Sequence, residues 1–258
     1  MSAILFDSVR VAHRVLIELM RNRRLLFFWI LFPTLMLLLF GWVYADEYGG
    51  LGPSFTWTAP GILLGAAMFF SCLGGPVSLI VGERERRTLR RLLLSPLSGT
   101  AYYGGVVLAH LAIALGQAAI VYGLTYAAGG GFRGSVWLGA LILFLSAMCY
   151  VGLGFFFGAR FAGRTEDVTG PVAAVGVPLL VMGGTFFPVE LLPPFLHTLA
   201  QADPIYHMNM ALKAVAQEGA DIKAIALNLF FLLGFAACSL ALGTRAYRQM
   251  LGRERAGA

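Results

Sequence analysis

Between Val81 and Thr100 the chain reads VGERERRTLRRLLLSPLSGT, a charged stretch set between two long apolar runs. On helical spacing Leu89, Leu92 and Leu93 share one side, Arg84, Arg87 and Arg91 share another, and Glu83 stands four residues before Arg87, within reach of an ion pair. Pro96 ends such a helix before the next apolar run. A helix that is apolar on one side and ionic on the other can rest on a membrane surface or fit a groove on a protein partner. A plain basic loop between two spans has the same composition. The chemistry on offer is docking, not bond making. A second pattern is Tyr103, His110 and Gln117, seven residues apart, which leave one helix face within about 20° per step. His110 falls near the middle of an apolar run, where an ionisable group either serves a pathway or bonds to a neighbouring helix. Phe69, Phe70, Phe186 and Phe187 could touch an apolar substrate or simply face lipid.

The elements that must position these residues follow from composition. Of 258 residues 59% are hydrophobic and only 12% charged, with a mean hydropathy of +0.78, whereas a soluble domain carries roughly 25% charged residues. The chain is expected to be an all-α integral membrane protein. A crossing helix needs about 20 mostly apolar residues, and six segments meet that test: Leu25 to Tyr44, Trp57 to Val81, Ala101 to Tyr126, Ser135 to Phe157, Val168 to Phe187 and Ala224 to Tyr247. Arginines cluster before the first, after the second, after the fourth and after the sixth, while the opposite loops hold Arg133, Lys213 and Lys223 against six carboxylates. Basic residues stay on the cytoplasmic side, so both termini are expected there.

Residues 1–24 read as an interfacial helix, with Ile4, Leu5, Val9, Ala12, Leu16 and Leu19 on one side and Arg10, Arg14 and Arg21 largely on another. The basic group Arg21, Arg23, Arg24 runs straight into a full-length span, which argues against a cleavable leader. Pro33 in span one is tolerable because neighbouring groups can satisfy the carbonyl that it frees. Gly61 and Gly65, and again Gly154 and Gly158, are spaced for close helix approach, and Gly74, Gly75 and Pro76 predict a kink in span two. The segment 188–220 is too apolar for a solvated loop and is cut by Pro193, Pro194 and Pro204 into pieces too short to span. Short external re-entrant helices are expected there.

The net charge of +6 is accounted for by topology and anionic lipid, so no nucleic-acid partner is expected. Cys72, Cys149 and Cys238 lack ligand spacing, and no metal site is predicted. There is no GxxxxGK[ST] phosphate loop, and the two lysines, Lys213 and Lys223, are both expected outside. Energy for any work must come from another polypeptide.

The order ERERRTLRRLLLSPLS resembles the segment after the second span of ABC-2 type permeases, the membrane subunits of bacterial ATP-binding-cassette exporters. GGTFFPVELLPPFLHTLAQADPIYHM, from Gly183 to Met208, is similar to that family's fifth span, external re-entrant helices and Pro-containing turn. The likeness covers essentially the whole chain and is closest to the drug, lipid and Nod-factor exporter branch. It implies one permease domain, 1–258, with a cytoplasmic coupling helix at 82–98 seated on an ABC ATPase. Glu83, Arg84, Glu85, Arg86, Arg87, Thr88, Leu89, Leu92 and Leu93 would form that contact. It further implies a homodimer in the bacterial inner membrane, no cofactor on this chain, and ATP with Mg on the partner. Where the family usually has Gly before the Thr and an acid after the Leu, this chain has Arg87 and Arg90, so the partner's surface should be rich in carboxylates. The function expected is outward transport of a drug, lipid or lipid-linked glycan, with a pathway near Tyr103, His110, Gln117, Phe186 and Phe187. An intramembrane enzyme acting on lipid, or a non-transport partner of an ATPase, are the other readings.

Overall fold

Apolar runs bounded by arginines, glycines and prolines fold as helices here because a helix satisfies its own backbone polar groups where no water can. The computed structural model describes residues 2–86, 88, 97–161 and 165–256, the side chains of 2, 165–169, 251 and 253–256 lying outside that description. Its main elements are α1 (Ser2–Arg21), α2 (Arg23–Val43), the continuous helix α3 (Leu51–Glu85), α4 (Gly99–Ala127), α5 (Val136–Phe161), α6 (Thr165–Met182), the short α7 (Pro194–Ala200) and α8 (Pro204–Lys213), and α9 (Ala226–Ala256). Among the described residues there is no strand, in keeping with the all-α expectation. Five helices, α2, α3, α4, α5 and α9, are long and apolar enough to cross a membrane. The chain is a multi-pass membrane protein.

The fifth expected span is α6, whose apolar part, Gly170–Met182, is shorter than the others. It stops at Met182 instead of Phe187. Gly184 takes a positive φ of 72°, and the Thr185 N–H turns back to the Leu180 carbonyl at 3.1 Å, the closure a left-handed glycine allows. The second span begins at Leu51, not Trp57, and its 35 residues would measure about 52 Å at 1.5 Å per residue. That exceeds a hydrocarbon core of about 30 Å, so the helix tilts or projects beyond it. The expected helix 82–98 falls outside the described residues at 87 and 89–96. Segment 188–220 does fold into short pieces, α7 and α8, each opened by a proline.

α3 is the interior element, with 78% of its apolar window buried against 22% for α2 and α9. Its middle unwinds into two π segments, Ile62–Ala67 and Phe69–Leu73. Small residues set how closely its neighbours come. A Cβ on Gly154 would stand 2.6 Å from the Leu73 carbonyl oxygen, and one on Gly158 would stand 3.3 Å from Ile80, so the Gly154 and Gly158 pair of α5 fits onto α3 as its spacing suggests. Gly61 and Gly65 of α3 meet the turn after α6, with Thr185 2.4 Å and 2.1 Å from their built Cβ positions. α5 and α9 cross at Gly152 and Gly243, where a Cβ on Gly243 would meet the Gly152 carbonyl oxygen at 2.5 Å.

α1 packs on the bundle through a face that its apolar stripe does not announce. Ser8, Val11, Ala12 and Val15 are buried, while Ile4, Leu5, Phe6 and Val9 are exposed. The reason is a glycine pair on α4: Ser8 and Val11 sit on Gly104 and Gly105, so the packing face is turned away from the most hydrophobic residues. Those stand exposed on the outer side of the helix.

Substituting Gly61→Ala would drive a methyl into the Thr185 carbonyl. The expected cost is about 1–3 kcal/mol, read as a lower thermal midpoint in detergent than wild type; an unchanged midpoint would contradict the close packing of α3 on the turn after α6.

Candidate functional site

At the end of the bundle where α3 finishes, one buried carboxylate gathers several helices. Glu83 is 5% exposed. It accepts a hydrogen bond from the guanidinium of Arg14 on α1 and one of 2.5 Å from the Tyr102 hydroxyl on α4, and its own carbonyl accepts from Thr88 Oγ1 at 3.1 Å. Tyr102 is stacked on Tyr247 of α9 at 5.4 Å and meets Phe155 of α5 edge-on at 6.2 Å. Glu83 therefore faces inward and bonds to α1 instead of presenting itself to a partner. Arg86 is exposed and pairs with Glu18 of α1 at 2.9 Å. Arg84 is half-buried and Glu85 exposed. Arg87, Leu89, Leu92 and Leu93 lie outside the described residues.

The stripe of Tyr103, His110 and Gln117 points into the protein. Gln117 is 4% exposed; its Oε1 accepts from Ser71 at 2.9 Å and its Nε2 donates to the Trp29 carbonyl at 3.2 Å. That carbonyl is the one Pro33 frees four residues later by lacking an N–H. His110 Nδ1 bonds to the Val106 carbonyl at 2.8 Å. Its Nε2 has no partner among the described residues and lies on Gly75, whose built Cβ would be 2.5 Å away. Tyr103 packs on Phe155 with ring centres 4.1 Å apart. Tyr150 adds another clasp, its hydroxyl donating to the π-segment carbonyl of Leu64 at 2.9 Å. In this conformation Gln117 fastens three helices together, the bonding role left open by its spacing. Phe186 lies in the turn after α6, stacked on Phe40 at 5.5 Å, and Phe187 follows it, half-buried.

The opposite end is a cap of polar groups on short elements. Lys213 donates to the Gly184 carbonyl at 3.0 Å and lies over the Trp57 ring at 4.4 Å. Burial lowers its pKa to about 8, against the pull of Glu190. Asp203 caps α8 by accepting the Ile205 N–H at 2.9 Å, and burial raises its carboxyl to about 7, opposed by that bond. Asn209 Nδ2 holds the Gly183 carbonyl at 2.7 Å. Among the described residues no group of three or more His, Cys, Asp or Glu could hold a metal.

Sequence reading missed Arg14 and Tyr102, which bond to Glu83, and Tyr247, which stacks on Tyr102, because these contacts join separate helices. The Gln117 contact had a signal, since Pro33 announces an orphaned carbonyl at Trp29.

Residues 9–216 match the family model described as ABC-2 type transporter. Over 169 residues the chain is 28% identical to the "Probable multidrug ABC transporter permease YbhR" of Escherichia coli K12, a stretch of 65% of this chain and 45% of that protein. It is 27% identical over 182 residues to the "Inner membrane transport permease YadH" of Escherichia coli K12, covering 68% of each, and equally to the Shigella flexneri protein of that name. The chain thus spans less than half of the length of the YbhR protein it matches.

Two tests follow. Gln117→Leu leaves the Trp29 carbonyl and the Ser71 hydroxyl short of a partner, and should lower stability by about 1–3 kcal/mol in thermal unfolding; a wild-type midpoint would mean that the bonds contribute nothing. Asp203 has a folded pKa above its ordinary 3.8, so the native state binds its proton more tightly. The stability this gives is complete below that ordinary value and lost as pH rises through about 7. Asp203→Asn should flatten that part of the stability profile; a profile that keeps its slope would assign it to another group.

Proposed function

The chain belongs to the ABC-2 type transporter family, and from that premise we propose that it is the permease subunit of an ATP-binding-cassette exporter of the bacterial inner membrane. It moves an apolar or amphipathic molecule outward, and a separate ATPase subunit binds ATP with Mg and hydrolyses it. Two copies pair in the membrane, with both termini on the ATPase side. The relatives' names, a multidrug permease and an inner membrane transport permease, support this reading.

The observation that carries the mechanism is the Glu83 node. Removing one partner of a buried ion pair costs about 3–5 kcal/mol, less where one member is partly exposed as Arg14 is. A displacement imposed on the segment from Arg84 onward therefore finds it easier to carry α1, α4 and the end of α3 together than to pull them apart. Higher in α3 the π segments 62–67 and 69–73 are places where a helix can rewind at small cost. Just beyond them α3 is held at Gly61 by the turn after α6. Movement of the node with the ATPase subunits thus bends α3 at its middle and alternates access. Arg84, Glu85 and Arg86, with the leucines beyond, supply the docking surface.

The test is to purify tagged chain from its native membranes and identify what accompanies it. A P-loop ATPase in comparable amount, with substrate-stimulated hydrolysis, is the expected result. Arg86→Glu should weaken that association. The charge swap E18R/R86E restores the internal pair, which as an exposed contact is worth about 0.2–1 kcal/mol, and should not restore the ATPase. Recovery of the ATPase by the swap would make the Arg86 contact internal, and recovery of the chain without any ATPase would end the exporter reading.

A further inference from the structure

One cavity takes no part in the docking end or the polar stripe. It has a volume of about 510 Å³ and lies between α3, α5 and α6, walled by Leu73, Leu153, Phe157, Val172 and Leu179, with hydrocarbon side chains on every side. Ligand sites commonly measure about 300–1,000 Å³. A water in it would lack the two to four polar partners that it needs, so hydrocarbon is the fitting occupant.

Its two ends differ. Deep in the bundle Phe69 closes it: the ring sits in the notch left by Gly176, where a Cβ would be 2.0 Å from the ring, and is braced edge-on by Tyr150 at 6.2 Å. The other end is open at Phe161, 59% exposed, and the slot also opens sideways at Val175, 65% exposed. The mouth is the Phe161 end. Just there Arg160 lays its guanidinium 5.8 Å from the Phe161 ring centre. It is exposed, and among the described residues no carboxylate pairs with it. From Leu153 to Phe161 the wall of α5 runs about 12 Å at 1.5 Å per residue, close to half of a hydrocarbon core of about 30 Å. The mouth shares its end of the bundle with Glu83, because Gly158 of α5 rests on Val77 and Ile80 of α3.

We propose that this cavity is a lipid site. It takes one acyl chain of an anionic phospholipid, drawn from the leaflet at the arginine-rich end, with Arg160 on the phosphate. The juxtaposition of an apolar slot one leaflet deep, an inner end closed by Phe69 and, at the mouth, an exposed guanidinium with no carboxylate partner among the described side chains carries the assignment. A second copy of the chain seated on the same face would need neither the slot's depth nor the basic rim. The site requires the bilayer only, and stands whether or not the chain transports anything.

The experiment uses full-length chain in vesicles of phosphatidylcholine with a minor fraction of phosphatidylglycerol carrying a photoactivatable diazirine on one acyl chain. No ATPase or ATP is added. Labels are mapped by mass spectrometry, and unlabelled phosphatidylglycerol or phosphatidylcholine competes. Saturable labelling of the peptides around 153–161 and 171–179, displaced by the anionic competitor, is the expected result. Arg160→Gln should cut the preference for phosphatidylglycerol about fivefold, the factor one basic side chain near an anionic headgroup provides. Leu153→Trp fills the slot and should abolish the saturable component, with size-exclusion profile and thermal midpoint as folding controls. If that variant does not fold, the Arg160→Gln competition alone decides. Labelling that is no stronger there than on the exposed face of α2, or that ignores the headgroup, overturns the site. Disulfide cross-linking of two copies through Val175→Cys at the expense of lipid labelling overturns it in favour of a protein contact. Failure to recover an ATPase from native membranes bears on the exporter reading alone.

Discussion

Every carbonyl and N–H at membrane depth must find a partner inside the protein, and the structure is arranged around an interior helix that cannot meet that demand unaided. α3 carries two π segments and Pro76, and its neighbour α2 carries Pro33; each leaves carbonyl groups without the usual helical donor. Gln117 Nε2 reaches both, donating to the Trp29 carbonyl of α2 at 3.2 Å and to the Ala67 carbonyl of α3 at 3.5 Å, and Tyr150 takes the Leu64 carbonyl. α3 can stay irregular because it is enclosed, and it is enclosed because α4 and α5 bring the donors.

The two ends of the bundle are built differently. At the Glu83 end a carboxylate is paired with Arg14 and accepts a hydrogen bond from Tyr102, beside the rings of Phe155 and Tyr247. A buried ion pair is weak evidence of net stability. What it does supply is a fixed geometry between helices distant in the chain. At the Asp203 end the polar groups sit on short helices and turns and hold one another mainly through backbone carbonyls. α3 thus has an ion-paired end, an irregular middle and, beyond it, a cap on short elements.

Much of this could be read from the chain. Apolar length gave the crossing helices, Gly154 and Gly158 gave a close contact, and the proline-cut segment 188–220 gave short helices. The candidate site was legible only in part. Glu83 has a basic residue four positions on, which is the pairing that local spacing offers, yet its described partner is Arg14, sixty-nine residues away. Local spacing has no term for a helix that returns from elsewhere. The inward face of α1 was not legible either: Ile4, Leu5 and Val9 stand exposed, and steric fit to Gly104 and Gly105 selected Ser8 and Val11 as the packing residues.

By itself the sequence determined the solvent of this protein, the count of its long apolar helices to within one, and the family to which it belongs, because each depends on composition, run length or short motifs read along the chain. Which way Gln117, His110 and Glu83 point, which helix borders the irregular middle of α3, and where an apolar slot opens beside Arg160 were decided only in three dimensions. Those are matters of packing between residues far apart in the chain, where the size of a glycine or the lack of one N–H outweighs any local preference.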